Sequence, residues 1–534
     1  MTEMTGTKRV RASKPKVKTG CITCKIRHIK CDEGKPECLR CKTTGRKCDG
    51  YDRAKYLQQL HNDKPRSAYP SVPVISPDHR IVLRPGTREE RQYVELFCNQ
   101  TSRAMSGFFS SQFWNYLLPQ LSYSQPAVRH AIAAVSAIYE QQFLHTPSSL
   151  PARSVEQIRN EHFVLQQYNK AIKHLTEGFP SSEQSLDLTL ITCCLFACLE
   201  MLRGNFKQAL NHLEAGLRIL CRRQKSLVEW GHGLKSVGGS EVVEQELSCL
   251  FARFNVQLSL FGRPLAPFEP PASDTSLSEA MFSTILEARY SLDRLMNKGL
   301  RFIRSVSEAR DTLHRMLLLQ EQFEIRRELN DWSTAFENMM KTQARRTTKK
   351  LDQRGPLLLR IHHRVTKIWL ETCLAADQTA FDKHSADFAT IVSNATLVIR
   401  NHNSSESDDM VDDDQPTDNF CLDMGIVPPL YFTATKCRHP ILRREAIDLL
   451  SAYPRQEGMW HPRQCAKIGE LVVAVEEAQV SSLPVELRVP EDRYRVYEAI
   501  MPDDNNPNPF PVILYSKPGG VYGAWNVRTE YIQW

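Results

Sequence analysis

No stretch of the 534-residue chain approaches the roughly 18 uninterrupted apolar residues that a bilayer span requires. The first ten residues, MTEMTGTKRV, also lack the apolar segment of a secretory signal. The expectation is a soluble, intracellular protein with no membrane partner. Catalytic signatures are missing too: there is no GxSxG, HExxH, P-loop or GxGxxG arrangement, and the pair His362 and His363 has no metal-ligating partner at helical spacing. These absences speak against an enzyme and leave the histidine pair as ordinary helix surface. A 34-residue helical repeat is absent as well. With 41% hydrophobic and 24% charged residues, 23 Gly and 30 Pro, the chain is neither collagen-like nor wholly disordered.

Net charge is scarce over most of the length. Residues 1–60 hold 16 Lys and Arg against 6 Asp and Glu, which leaves 53 against 55 for the remainder of the totals of 69 and 61. The excess positive charge therefore belongs to the head alone. A basic head on a neutral body is the electrostatic footprint of nucleic-acid contact.

The cysteines are as uneven as the charge. Six of 16 fall within 28 residues: Cys21, Cys24, Cys31, Cys38, Cys41 and Cys48. In a reducing compartment a dense group favours metal over disulfides. A CxxC followed, after six intervening residues, by a third cysteine occurs twice, 17 residues apart. Each half supplies three thiolates, whereas tetrahedral zinc needs four. Two ions are completed only if two thiolates are shared; one ion would leave two thiols idle. The near-repeat favours two Zn²⁺, whose six thiolates leave a formal charge of −2 that the surrounding Lys and Arg offset.

The stretch GCITCKIRHIKCDEGKPECLRCKTTGRKCDGY, Gly20 to Tyr51, resembles the fungal binuclear zinc cluster (Zn2Cys6) DNA-binding domain. It carries all six cysteines, basic residues between the second and third, and a mid-loop Pro36. The resemblance implies that Cys21 and Cys38 bridge the metals, with Cys21, Cys24, Cys31 and Cys38 around one ion and Cys38, Cys41, Cys48 and Cys21 around the other. Between Cys24 and Cys31, a short helix would turn Ile26 and Ile29 toward the cluster and Lys25, Arg27, His28 and Lys30 outward. Family members place this helix in the major groove at a CGG-type triplet, and their base-reading positions match Arg27 and His28. Arg suits the paired guanine acceptors, whereas His28 departs from the usual Lys or Arg. Lys25, Lys30, Lys42, Arg46 and Lys47 read as phosphate contacts.

The remaining organisation follows from composition. Residues 1–19 form a basic arm in which Lys8, Arg9, Arg11, Lys14, Lys16 and Lys18 read as a nuclear-import signal. Residues 52–86 are a Pro-rich linker with too few apolar positions for a heptad coiled coil. From Thr87 to residue 534 the signals are helical. Thr87 and Glu90 make a capping box, and Leu188 to Leu199 form a core helix with Cys193, Cys194 and Cys198 as packing. Gly204 and Asn205 break that helix before an amphipathic partner. Arg345, Arg346, Lys349 and Lys350 mark a solvated loop between helices. Seven acidic residues between 401 and 418 suggest an acidic loop. The stretches Ala197 to Leu220, Phe282 to Leu295 and Gly425 to Trp460 resemble the helical regulatory region of fungal zinc cluster factors.

The fold class expected is mainly all-α, comprising a small two-zinc module at 20–51, a linker and a large helical regulatory domain. The function expected is a nuclear, sequence-specific regulator of RNA polymerase II transcription. It would bind double-stranded DNA, with the helical domain forming a homodimer or contacting a coregulator. The rival reading is a helical scaffold or ligand-sensing interaction protein whose zinc head binds nucleic acid without sequence preference.

Overall fold

The computed structural model describes residues 19–27, 29–51, 85–144, 155–177, 183–229, 240–268, 282–308, 312–346, 353–404, 419–501 and 509–534. The basic arm, His28, nearly all of the linker, Lys349, Lys350 and residues 405–418 of the acidic segment lie outside them. The chain divides into two units, residues 1–82 and 83–534.

In the first unit, α1 (Ile22–Ile26) and α2 (Leu39–Thr43) are single turns of helix, one for each CxxC. Too short to persist alone, each is held at its start by a cysteine sulfur accepting a backbone N–H.

The second unit opens with α3 (Arg88–Leu96), where the Thr87 side chain accepts from Glu90 N and the Glu90 carboxylate accepts from Thr87 N. Two short helices, α4 (Ser102–Ser106) and α5 (Leu118–Ser124), lead into α6 (Pro126–Tyr139). This helix begins on proline, whose missing N–H is harmless there. Every residue from His130 through Tyr139 is buried, as expected of a helix that is apolar on nearly all faces. Against it pack α7 (Val155–Glu177) and α8 (Glu183–Leu202), and α9 (Phe206–Glu229) and α10 (Ser240–Leu260) extend the same core. The turn between α8 and α9 places Gly204 at φ +75, a left-handed conformation that favours glycine. Cys193, Cys194 and Cys198 are all buried in this core.

A second core is built by α11 (Ile285–Glu308), α12 (Thr312–Arg346), α13 (Arg354–Thr372), α14 (Ser385–Ser404), α15 (Val427–Lys436), α16 (Pro440–Ala452) and α17 (Pro462–Glu476). Trp332, Phe336, Ile361 and Phe388 lie at its centre. Two-residue strands β1 (Phe420–Cys421) and β2 (Gln456–Glu457) pair in parallel. At the C-terminal end, β3 (Val496–Ile500), β4 (Phe510–Ser516) and β5 (Asn526–Ile532) form an antiparallel sheet. Val496, Phe510, Val512, Leu514 and Ile532 pack from that sheet onto Ile468 and Val472 of α17.

Three features depart from the sequence reading. The sheet is an addition to a mainly helical body. His362 and His363 are not helix surface: His363 is buried, its Nε2 lies 3.2 Å from Leu329 O, and His362 Nε2 lies 2.9 Å from Gly425 O. Arg345 and Arg346 belong to the last turn of α12 rather than to a loop.

Buried charge ties the second unit together across long sequence separations. Asp423 accepts from Arg253 Nε at 2.9 Å and from Arg289 Nη2 at 2.6 Å. Glu476, fully buried, pairs with Arg438 and Arg443, each at 2.8 Å, and accepts from Val496 N at 2.7 Å. Glu457 on β2 accepts three backbone N–H bonds, from Gly425, Ile426 and Val427, at the start of α15. Buried acids of this kind are tolerated because each is ion-paired or held by several hydrogen bonds.

Candidate metal centre and nucleic-acid interface

The six clustered cysteines converge into one buried core, with accessibilities between 0 and 9%. Two overlapping groups of four form within it. Cys21, Cys24, Cys31 and Cys38 have sulfurs all within 4.8 Å of one another, and so do Cys21, Cys38, Cys41 and Cys48. Cys21 and Cys38 belong to both.

Those distances suit zinc. Four sulfurs at about 2.3 Å from a tetrahedral ion stand about 3.8 Å apart. The Sγ atoms of Cys21 and Cys38 are 3.6 Å apart, those of Cys24 and Cys38 are 3.7 Å apart, and those of Cys21 and Cys41 are 3.9 Å apart. Cysteines arranged like this can hold metal, and the overlap of the two groups supplies the shared ligands that six thiols need.

The backbone prepares the sulfurs. Cys21 caps α1 by accepting from Cys24 N at 3.4 Å, and Cys38 caps α2 by accepting from Cys41 N at 3.3 Å. Cys31 Sγ accepts from Cys21 N and Glu33 N, at 3.4 and 3.3 Å. Burial pushes the Cys31 thiol up, but these N–H groups outweigh it and bring it down to about 7. At Cys38 burial dominates and pushes the thiol up to about 12. A divalent cation among the sulfurs reverses that penalty, because it favours the thiolate over the thiol.

Residues that the cysteine pattern did not single out shape the shell. The exposed Asp32 carboxylate accepts from Leu39 N at 2.8 Å and Arg40 N at 3.0 Å, holding the start of α2. Those two amide bonds favour the ionised form and hold its carboxyl below the usual carboxylate range. The Tyr51 hydroxyl donates to Gly34 O at 2.8 Å and so closes the loop between Cys31 and Cys38. Thr23 Oγ1 donates to Asp49 Oδ2 at 2.7 Å and accepts from Asp49 N at 3.0 Å. Gly20 is fixed by space: a Cβ there would lie 2.8 Å from Cys31 Cβ. An acid directly after the third cysteine in so basic a segment was the available clue to Asp32.

The charged residues lie outside this core. Lys25, Lys30, Lys42, Arg46 and Lys47 are exposed, as is Arg40. Arg27, the C-cap of α1, is partly covered, and its Nη1 donates to Thr44 Oγ1 at 3.2 Å. The expected orientation of the isoleucines is overturned: Ile26 and Ile29 are 57% and 38% exposed, whereas Ile22 is buried. The helix stops at Ile26, and the sulfurs themselves fill the interior that an apolar stripe would otherwise occupy. His28 and the cations Lys8, Arg9, Arg11, Lys14, Lys16 and Lys18 fall outside the described residues.

Comparison with known proteins matches both units. Residues 19–57 match the fungal Zn(2)-Cys(6) binuclear cluster domain, and residues 92–343 match the fungal specific transcription factor domain. The aspercryptin biosynthesis cluster-specific transcription regulator atnN of Emericella nidulans is 25% identical, over 83% of this chain and 84% of its own. The transcription regulator lscL of Purpureocillium lilacinum is 25% identical over 66% of this chain and 86% of its own. The transcriptional regulatory protein moc3 of Schizosaccharomyces pombe is 48% identical over 54 residues, 10% of this chain and 11% of its own. No solved structure matches the chain.

Proposed function

Given that this chain is a fungal zinc cluster transcription regulator, with a DNA-binding cluster domain followed by a helical transcription factor domain, we propose that it acts in the nucleus on RNA polymerase II genes by reading CGG-like triplets. The observation that carries the reading is the cluster's division of labour, with six sulfurs inside and cations outside on both helical turns. Zinc, two ions in this proposal, supplies charge neutralisation and rigidity to a module with almost no apolar core. Cys21 and Cys38 would serve both ions.

The exposed cations Lys25, Lys30, Lys42, Arg46 and Lys47 hold phosphates and fix register without reading sequence. Arg27 reads guanine through its two-pronged guanidinium, exchanging the Thr44 hydroxyl for base-edge acceptors. His28 is its neighbouring base reader. The arm from Lys8 to Lys18 serves nuclear import, and the helical domain pairs copies or engages a coregulator.

The test is fluorescence anisotropy of the full chain on CGG-containing and scrambled duplexes at one salt concentration. Arg27→Ala is expected to weaken cognate binding by roughly 1–3 kcal/mol and leave scrambled DNA nearly unchanged. Lys47→Ala should weaken both alike and lower the salt slope by about one. Equal affinity of the unmodified protein for both duplexes would refute sequence reading and favour a non-specific head.

A further inference from the structure

We propose that the helical unit holds a binding site for a small apolar anion, an aromatic or acyl carboxylate in chemical class, in the cavity between α13, α15 and β3. The cavity measures about 610 Å³, within the range of roughly 300–1,000 Å³ typical of small-molecule sites. Its position inside a unit that carries none of the cluster's cysteines makes the proposal independent of how the head reads DNA.

The walls are aromatic. Phe261, Trp369, Phe381, Tyr431, Phe432 and Trp460 all line it. The rings of Phe261 and Trp460 are 4.7 Å apart, those of Tyr431 and Trp460 are 5.6 Å apart, and those of Phe381 and Phe432 are 6.1 Å apart. Such walls gain from covering an apolar ligand and offer ring faces and edges for stacking.

Among the polar groups of the lining are several donors. Lys436 projects from the end of α15 into this lining. Its Nζ donates to the backbone carbonyl of Tyr497 and to Gln378 Oε1 at 3.3 Å, yet it pairs with no carboxylate among the described residues. The buried Arg289, Arg438, Arg443 and Arg495 each have one. Two further polar atoms in the lining also lack a partner among the described residues: Trp460 Nε1 and the Tyr497 hydroxyl, on side chains 4% and 9% exposed. An indole N–H donates only, and an ammonium donates only. A ligand that supplies acceptors and negative charge satisfies all three.

The acids in the lining act on Lys436 only at a distance, Glu498 as a charge that favours its ammonium without pairing with it. The Asp377 carboxylate is engaged by the N–H and hydroxyl of Thr379, and Glu498 is exposed. Behind the pocket stand more cations: Arg438 is committed to Glu476, and Arg495 to Asp382. Burial, reinforced by the Arg438 charge, lowers the Lys436 ammonium to about 7. Electrostatically, an incoming anion restores what burial removes.

The test uses two probes with one ring system. 8-Anilino-1-naphthalenesulfonate carries a negative charge, and N-phenyl-1-naphthylamine does not. Titrated into the folded full chain, the sulfonate is expected to bind saturably at one equivalent, with Trp fluorescence quenched. Lys436→Met should weaken the sulfonate roughly tenfold or more and leave the uncharged probe within about twofold. Lys436→Arg should retain the anion preference, and Met424→Trp, which fills the cavity, should abolish both. Far-UV circular dichroism and a melting curve accompany each variant, since loosened cores also bind such dyes. If Lys436→Met does not fold, Tyr497→Phe takes its place. Its unpartnered hydroxyl has no internal bond to lose, and the expected result is a several-fold loss for the sulfonate alone. The proposal is overturned by absence of saturable binding, by binding that survives Met424→Trp, or by equal losses for the two probes in Lys436→Met.

Discussion

Gly20→Ala is a sharp perturbation of the metal centre because it adds one carbon and removes no ligand. The new Cβ would stand 2.8 Å from Cys31 Cβ, whereas carbon atoms in favourable contact are about 3.5 Å or more apart. Cys31, or the segment carrying Gly20, must therefore give way by roughly 0.7 Å, the difference between those two distances. Metal sites tolerate ligand displacements of only about 0.2 Å. Only one of the two cysteine groups contains Cys31, so the damage should be lopsided. The group Cys21, Cys24, Cys31 and Cys38 is expected to lose affinity by about 10- to 100-fold, the range reached by substitutions just outside a metal's ligands. The group Cys21, Cys38, Cys41 and Cys48 should hold better. The assay is stepwise zinc release to a chromophoric chelator, with Co²⁺ absorption as a second readout. Gly45→Ala is the matched control. It sits at φ +65 with no atom within 4 Å of the added carbon, so it introduces backbone strain of about 1–2 kcal/mol but no clash with a ligand. If Gly20→Ala retains zinc as tightly as the unmodified chain, or if Gly45→Ala loses it equally, the steric argument fails.

Three further outcomes are expected. Glu476→Gln leaves Arg438 buried without its countercharge and Arg443 with only Glu477, 3.6 Å away, so urea unfolding should show a loss of about 3–5 kcal/mol; a loss under about 1 kcal/mol would show that the pairing is replaceable. Glu90, which burial alone would raise, is drawn down to about 2 by Lys170, the Thr87 N–H and Gln167. Its folded value lies below its unfolded one, so its contribution is complete above pH about 4.5 and disappears as pH falls toward 2; Glu90→Gln should flatten that part of the stability–pH profile, and an unchanged acid limb would contradict the assignment. Gly216→Ala would place a Cβ 2.3 Å from the Phe251 ring where α9 meets α10, and thermal unfolding should show a loss of about 1–3 kcal/mol from overpacking; an unchanged melting temperature would mean that the Phe251 ring swings aside freely.

Features encoded by neighbouring residues were legible in the sequence. Thr87 and Glu90 form the box their spacing announces, and the break at Gly204 and Asn205 separates an apolar core helix from an amphipathic one, both visible in the residues themselves. The convergence of six cysteines was legible for a different reason: metal ligation demands fixed spacings, so chemistry leaves a mark that packing does not. Ile26 and Ile29 misled because an apolar pair three apart normally marks a core face, whereas here sulfur fills the core. Arg438, Arg443 and Glu476 look like solvated helix charges until tertiary structure joins residues more than 30 positions apart. The sheet escaped notice because its buried set, Val496, Phe510, Val512, Leu514 and Ile532, is assembled from three short separated segments. Periodicity along one segment carries no information about that closure.

The placement of Cys21 and Cys38 as both shared sulfurs and helix caps has a thermodynamic consequence. Metal occupancy and the helicity of the two turns are not separable variables, since the same atoms govern both. An isotherm of zinc uptake is then also an ordering curve for α1 and the Arg27 that ends it. DNA binding, in turn, is coupled to the free zinc concentration: whatever factor zinc contributes to DNA affinity, DNA returns to the affinity for metal. Protein seated on its site should therefore keep its zinc at chelator levels that empty the unbound protein.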